Sequence, residues 1–236
     1  MSASPAERTA REKLRLRLRV VGRGVAMDCP VNILPMSREH AAQVAALHRD
    51  GIHTGFLSSL GSRFLAELYA AIPAAPCGFG YVAVRNGRVL AFVACAERLG
   101  RLYKQALRKR GVRMAWAMVP RVFRPSVFQR VIETLFYPAR MEEKFPSAEV
   151  LSIVAVPEAR GSGLAGELMR RAFDEFRRRG IPSVKVQVFA GNAGAKRFYE
   201  KCGFVLAGQK QHHENLLDIY VIDLAPASAT GEPKLS

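Results

Sequence analysis

The chain has 236 residues, of which 49% are hydrophobic and 24% charged, and a formal net charge of +16. That length can bury a substantial core in one catalytic domain with extensions, and the composition excludes a fibrous or wholly disordered polypeptide. No apolar run reaches the roughly 18 residues of a spanning helix, and Cys29, Cys77, Cys95 and Cys202 form no CxxC pair and no zinc-spaced cluster, so a reducing cytoplasm and no metal are expected.

The charge is unevenly placed along the chain. Residues 1–30 carry +4, 31–100 carry +2, 101–140 carry +9 and 141–236 carry +1. Residues 1–30 alternate Arg with Leu or Val without a clean apolar period and read as a basic, mobile tail, with Met27 as an alternative start. Val31–Leu34 reads as a first strand. Arg38–Leu47 has helical spacing with Ser37 as N-cap, and Phe64–Ile72 reads as a second short helix. Tyr81–Val84 and Val89–Ala96, joined through Asn86-Gly87, carry a hairpin signal because that pair accepts positive φ.

Beyond the basic segment, Val150–Val156 is a β-branched apolar run, and Leu164–Phe176 has the period of an amphipathic helix ending at Gly180. Val184–Val188 reads as a strand and Ala193–Lys201 as a short helix; Phe204–Leu206 and Leu216–Leu224 make a terminal strand pair. Residues 226–236 read as a disordered tail. The order is mixed α/β (α+β) without an internal repeat.

Arg160-Gly161-Ser162-Gly163-Leu164-Ala165 lies between a strand and a helix, where backbone N–H groups lack intrahelical partners and the helix dipole is positive. Such a turn suits phosphate, and Arg160 adds a charged donor. Gly161, Gly163 and Gly166 also satisfy GxGxxG, but Pro157–Arg160 intervene after the strand and the next strand ends Val188-Phe189-Ala190-Gly191 without a carboxylate for a ribose. The Walker pattern fails for want of a Lys-Ser/Thr pair. A glycine-rich turn without a ligand is the plain alternative.

Two blocks in order resemble the GNAT superfamily of acyl-CoA N-acyltransferases. Val156-Pro157-Glu158-Ala159-Arg160-Gly161-Ser162-Gly163-Leu164-Ala165 is similar to the V-x-P-x-x-R-G-x-G-x-A/G motif, except that Pro157 follows the valine directly. Asn192 to Phe204 is similar to N-x-x-A-x-x-F-Y-x-x-x-G-F. The resemblance is firm over 149–224 and looser over 31–97, and it leaves 101–146 as a basic helical insertion in a domain spanning 31–225.

The resemblance implies a mostly antiparallel central sheet, flanked by helices and splayed at an acyl-CoA site. It implies that the main chain of Ile153, Val154, Ala155 and Val156 pairs with pantetheine and that Arg160, Gly161, Ser162, Gly163, Leu164 and Ala165 hold the pyrophosphate of acetyl-CoA. Asn192 and Phe198 would serve the donor arm, and Tyr199 would be the general acid to the thiolate.

Direct attack of an amine on a thioester needs no covalent enzyme intermediate, and Cys202, with no histidine near it in sequence, is assigned no catalytic role. Glu149, which opens a strand, and Glu97, which closes the hairpin, are the candidate bases; for both the plain alternative is a solvated strand end. His212 and His213 are weaker, since adjacent strand residues face opposite ways. Deprotonation through water, with no dedicated base, stays open.

From Arg101 to Arg140 ten basic residues interleave with apolar ones and only Glu133 is acidic, which suggests helical pieces broken at Gly111, Pro120, Pro125 and Pro138. The segment is read either as a lid with solvated arginines or as a surface meeting an anionic membrane leaflet or a phosphate-linked substrate, which would place the protein at the inner membrane face. The expected acceptor is a small-molecule amine or amino sugar. Protein lysine or N-terminal acetylation and a non-catalytic acyl-CoA-binding module are the alternatives. Nucleic acid is disfavoured because no reading helix or stacking motif is present, and homodimerisation is left open.

Overall fold

A computed structural model of the chain describes residues 30–52, 60–122, 144–212 and 215–224. The basic tail up to residue 29 with Met27, His213, the breaks at Pro125 and Pro138, and residues 226–236 lie outside them.

Seven strands form one sheet in the order β1-β2-β3-β4-β5-β7-β6. They are β1 (Asn32–Pro35), β2 (Gly78–Arg85), β3 (Arg88–Ala96), β4 (Glu149–Ala155), β5 (Ser183–Phe189), β6 (Val205–His212) and β7 (Asn215–Asp223). Every neighbouring pair is antiparallel except β4 and β5. The β2–β3 connection turns at Asn86 and Gly87 with φ of 51° and 74°, the geometry that the Asn-Gly pair predicts.

The final strands depart from the sequence reading. β6 runs on to His212, well past the expected Leu206, and β7 inserts between β5 and β6, pairing with β5 from Ser183↔Asp223 to Phe189↔Leu217. The polar run Gln209-Lys210-Gln211 conceals the extension, because β6 is an edge strand and largely exposed.

Among the described residues five α-helices accompany the sheet: α1 (Ala41–Gly51), α2 (Ser62–Ala71), α3 (Leu99–Val122), α4 (Leu164–Arg178) and α5 (Ala193–Lys201). α1 starts later than expected, because Arg38–His40 forms a 3-10 turn in which Ser37 N–H donates to His40 Nδ1 at 3.0 Å. α4 packs one face of the sheet through Leu164, Leu168, Met169, Ala172, Phe173 and Phe176. Full burial of Leu168 and Phe176 contributes about 1.5–3 kcal/mol each. α1 and α2 cover the opposite face, where Val44, Leu65 and Tyr69 meet Val82, Phe92 and Ala94.

α3 is one continuous helix through Gly111 and Pro120, which corrects the expectation of pieces broken there. Its buried stripe of Leu102, Ala106 and Met114 holds it on α2, with Arg110 Nη1 donating to Glu67 Oε2 at 2.6 Å. Packing of that stripe outweighs the cost of one helical glycine, about 1 kcal/mol.

α1 and α2 are also tied by a buried polar pair. His48 Nδ1 and the Tyr69 hydroxyl lie 2.6 Å apart, while the Ser152 hydroxyl of β4 donates to Leu151 O at 2.7 Å. His48 is 3% exposed and its Nε2 has no partner among the described residues. Burial lowers its pKa from 6.5 to about 4, since a cation there would lose its hydration.

Because the folded-state pKa lies below the unfolded value, the unfolded chain binds the proton first; the stabilisation is complete above pH 6.5 and is lost as pH falls towards 4. Denaturant titrations of wild type and His48→Asn at a series of pH values check this. The wild-type stability relative to the variant should fall by on the order of 3 kcal/mol between neutral pH and pH 4, and a pH-independent difference would contradict it.

Candidate functional site

The site begins where two strands part. β4 and β5 pair only at Glu149↔Lys185 and Val150↔Val186, whereas β4 stays paired with β3 from Glu149 to Ala155 and β5 stays paired with β7 along its whole length. Beyond Val150 the two halves of the sheet diverge. Val156 N–H donates to Leu90 O at 2.8 Å, so alternation turns Val154 towards β3 and turns the main-chain groups of Ile153 and Ala155 into the gap. Ile153 and Ala155 are partly exposed while Val154 is buried. An extended chain carrying amides could complete this edge.

The glycine loop sits at the same end of β4. Pro157–Ala159 form a 3-10 turn, Ser162 Oγ donates to Ala159 O at 2.6 Å, and Gly163 is the N-cap of α4. Gly161 and Gly163 hold φ of 76° and 85°, a region side-chain-bearing residues avoid. A Cβ at Gly161, Gly163 or Gly166 would meet nothing within 4 Å, so the loop faces open space. Leu164 is buried, Ala165 is half-buried, and Arg160 is exposed beside the loop. Unpaired first-turn N–H groups, a positive helix end and a guanidinium nearby suit a diphosphate.

Tyr199 projects from α5 into the core. Phe198 and Phe204 flank its ring at 5.3 and 5.6 Å between centroids, both edge-on. α5 is fixed in turn by Lys196 Nζ on Asp218 Oδ2 at 2.7 Å and by the Tyr220 hydroxyl donating to Glu200 Oε1 at 2.9 Å. Burial first, and the nearby Cys202, Cys95 and Glu149 next, push the Tyr199 phenol well above its usual range. Asn192 caps α5, its Oδ1 accepting from Ala195 N–H at 3.0 Å.

The two candidate carboxylates are placed differently. Glu149 is 6% exposed, accepts a 2.8 Å hydrogen bond from Gln187 Nε2, and has its pKa raised by burial against the opposing pull of Lys185 and that hydrogen bond. It is no solvated strand end. Its charge also raises Tyr199 and Tyr103, so each of the two phenols lies within electrostatic reach of Glu149. Glu97 instead accepts from Arg179 Nη1 at 2.7 Å, and Arg179 also binds Glu175 and stacks on Phe79, 4.5 Å from the ring centre. That ion pair joins the end of β3 to the end of α4. The backbone of His212 ends β6.

Sequence reasoning missed His48, Tyr69, Ser152, Tyr103 and Gln187. His48 carried a usable signal, since Ala41, Val44, Ala45 and His48 form one helical stripe and all are buried. Gly51, at the end of α1, abuts the Val154 side chain so closely that a Cβ would collide with it, which brings α1 to the opening of the sheet. Among the described residues no group of His, Cys, Asp and Glu could hold a metal, and no helix is long and apolar enough to cross a membrane.

A 62-residue stretch is 37% identical to a mycothiol acetyltransferase from Brachybacterium faecium, spanning 26% of this chain and 19% of that protein's length. Similar solved structures include the ribosomal-protein-S18-alanine N-acetyltransferase of Escherichia coli, with a TM-score of 0.54, 14% identity, and coverage of 86% of this chain and 99% of that one. NAA60 of Arabidopsis thaliana, solved with a bisubstrate analogue, gives a TM-score of 0.55, 12% identity, and coverage of 84% and 99%. An N-acetyltransferase of Staphylococcus aureus Mu50 gives 0.55, 18%, and coverage of 82% and 98%. These likenesses establish the fold. The profile of the acetyltransferase (GNAT) family matches residues 50–204, from the end of α1 through α5, and the chain belongs to that family of acyl-CoA-dependent acetyltransferases.

Proposed function

We propose that the protein moves an acetyl group from acetyl-CoA directly to the primary amine of a small molecule, of the amino-sugar class, in a ternary complex. The observation that carries the reading is the two-pair junction of β4 and β5, which opens onto the free main-chain edge of Ile153 and Ala155 with the glycine loop at its end. The pantetheine amides pair with that edge; Arg160, Gly161, Ser162, Gly163 and the first turn of α4 at Leu164 and Ala165 hold the pyrophosphate. Phe198 and the amide nitrogen of Asn192 face the donor arm.

Glu149 accepts the amine proton, directly or through water, and the neutral nitrogen attacks the thioester carbonyl. A C–N bond forms, the C–S bond breaks, and Tyr199 supplies the proton to the departing sulfur. Burial makes Glu149 a stronger base than a solvated carboxylate, while Tyr199 carries its proton at neutral pH and has it to give. Glu97 is left out of this assignment because its carboxylate is committed to Arg179. The partial match to a mycothiol acetyltransferase supports a small-molecule acceptor.

Two measurements test the reading. Calorimetric titration with acetyl-CoA should show tight binding to wild type and at least about tenfold weaker binding to Gly163→Val, because a β-branched residue resists positive φ. Binding unchanged in that variant would move the donor elsewhere. In an acceptor screen over amino sugars, small amines and peptides, Tyr199→Phe should lower kcat roughly 100-fold or more with the KM for acetyl-CoA little changed. Glu149→Gln should abolish the limb over which activity rises with pH, a limb lying above the ordinary carboxylate range because Glu149 is buried. Transfer to peptides alone would replace the small-molecule acceptor with a protein one.

A further inference from the structure

α3 turns two chemically opposed faces outward and inward. Leu102, Ala106 and Met114 are buried and Arg110 pairs with Glu67, fixing one side of the helix on α2. Lys109 Nζ donates to Ala74 O at 3.2 Å, a further anchor at the edge of that contact. On the far side Arg101, Lys104, Arg108, Val112 and Trp116 are exposed.

Two features of this face are unusual together. Val112 and Trp116, one turn apart, are 74% and 72% exposed, far beyond what packing would leave for an aromatic of that size. On the same face stand three cations to which no carboxylate is paired among the described residues, and α3 contains seven Lys or Arg and no Asp or Glu. A solvated lid face accounts for the cations but not for the bare indole. A nucleic-acid surface accounts for the cations and leaves Val112 without a partner.

From this we infer that the outer face of α3 docks on an anionic phospholipid bilayer, lying flat in the interface with Trp116 and Val112 in the headgroup boundary and Arg101, Lys104 and Arg108 on the lipid phosphates. A helix of 24 residues is about 36 Å long, yet its cations keep it from crossing the hydrocarbon, so it lies on the membrane and does not span it. Tryptophan with flanking Lys and Arg is the composition of such interfacial helices. Acetyl transfer would then take place at a lipid surface, with α2, on which α3 rests, between the membrane and the sheet. The inference does not depend on which amine is acetylated.

Trp116 is the chain's single tryptophan, so its fluorescence reports this face alone. The full-length protein is titrated with vesicles of pure phosphatidylcholine and with vesicles containing phosphatidylglycerol, reading both co-sedimentation and Trp116 emission. Binding at least about tenfold stronger to the anionic vesicles is expected, with emission shifted to the blue and both effects reversed by high salt. Lys104→Glu/Arg108→Glu, outside the proposed catalytic and donor-binding residues, should lose most of the binding with its circular dichroism and melting unchanged, and Trp116→Ala should weaken co-sedimentation. The proposal is overturned by equal affinity for neutral vesicles, by no binding, by anionic binding that leaves Trp116 emission in place, or by full binding of the Glu variants. Tighter binding to RNA or DNA that the same variants abolish would make the face a nucleic-acid surface. Concentration-dependent self-association without lipid, lost in Trp116→Ala, would make it a contact between copies.

Discussion

A strand left half paired is the constraint on which the site depends. β4 spends one edge on β3 over its whole length and the other on β5 for two residue pairs only. Buried amides without partners cost about 1–3 kcal/mol each, so a sheet would ordinarily close this gap. Here the gap stays open: β5 keeps seven residue pairs with β7, and β7 is paired in turn to β6, while only two pairs hold β5 to β4. The two half-sheets joined at Glu149 and Val150 diverge beyond that junction, and the main chain of Ile153 and Ala155 is left open. The half-exposed state of those two residues lowers the cost, since water can serve the groups until a ligand does.

Every other part of the site is held relative to that junction. Glu149 is itself a junction residue, so its carboxylate is fixed by the strand pairing that creates the gap. Tyr199 arrives from α5, which Lys196–Asp218 and Glu200–Tyr220 clamp onto β7 on either side of it in sequence. Asp218 is fully buried and also accepts from Gln209, so the clamp is held by a desolvated charge with both oxygens engaged and does not resemble a loose surface pair. Tyr199 is thus referenced to one half-sheet through β7 and Glu149 to both halves. Movement of the halves against each other would change the distance between them, and the α4 contacts across β2, β3 and β4 stiffen the larger half against such movement.

The sequence carried those parts of the fold whose signal is local. The β-branched run of β4, the 3.6-residue period of α4, the Asn-Gly turn and the positive-φ glycines each depend on a few adjacent residues, and each stands where the pattern put it. Placement within the sheet did not have this property: β7 lies between β5 and β6 because of register made across the whole C-terminal third. Glu97 looked equivalent to Glu149 on paper, and they are in fact near neighbours in register, through Ala96↔Glu149. What separates them is Arg179, distant in sequence, which takes one carboxylate and leaves the other to burial. Likewise Gly111 and Pro120 looked like helix ends until the stripe from Leu102 to Met114 found α2.

The same division between local and distant signals runs through the two faces of β4. The open edge and the loop beside it are built from main chain and glycines. The opposite face of β4 is lined by side chains from elements outside the firm resemblance: His48 from α1, Tyr69 from α2 and Tyr103 from α3, with Ser152 beneath them. Burial lowers the His48 pKa and raises those of both tyrosines, so all three are uncharged at neutral pH. Because Tyr103 belongs to α3, the helix that presents Trp116 outward also supplies this neutral wall inward, and whatever fixes α3 in place fixes part of the wall with it.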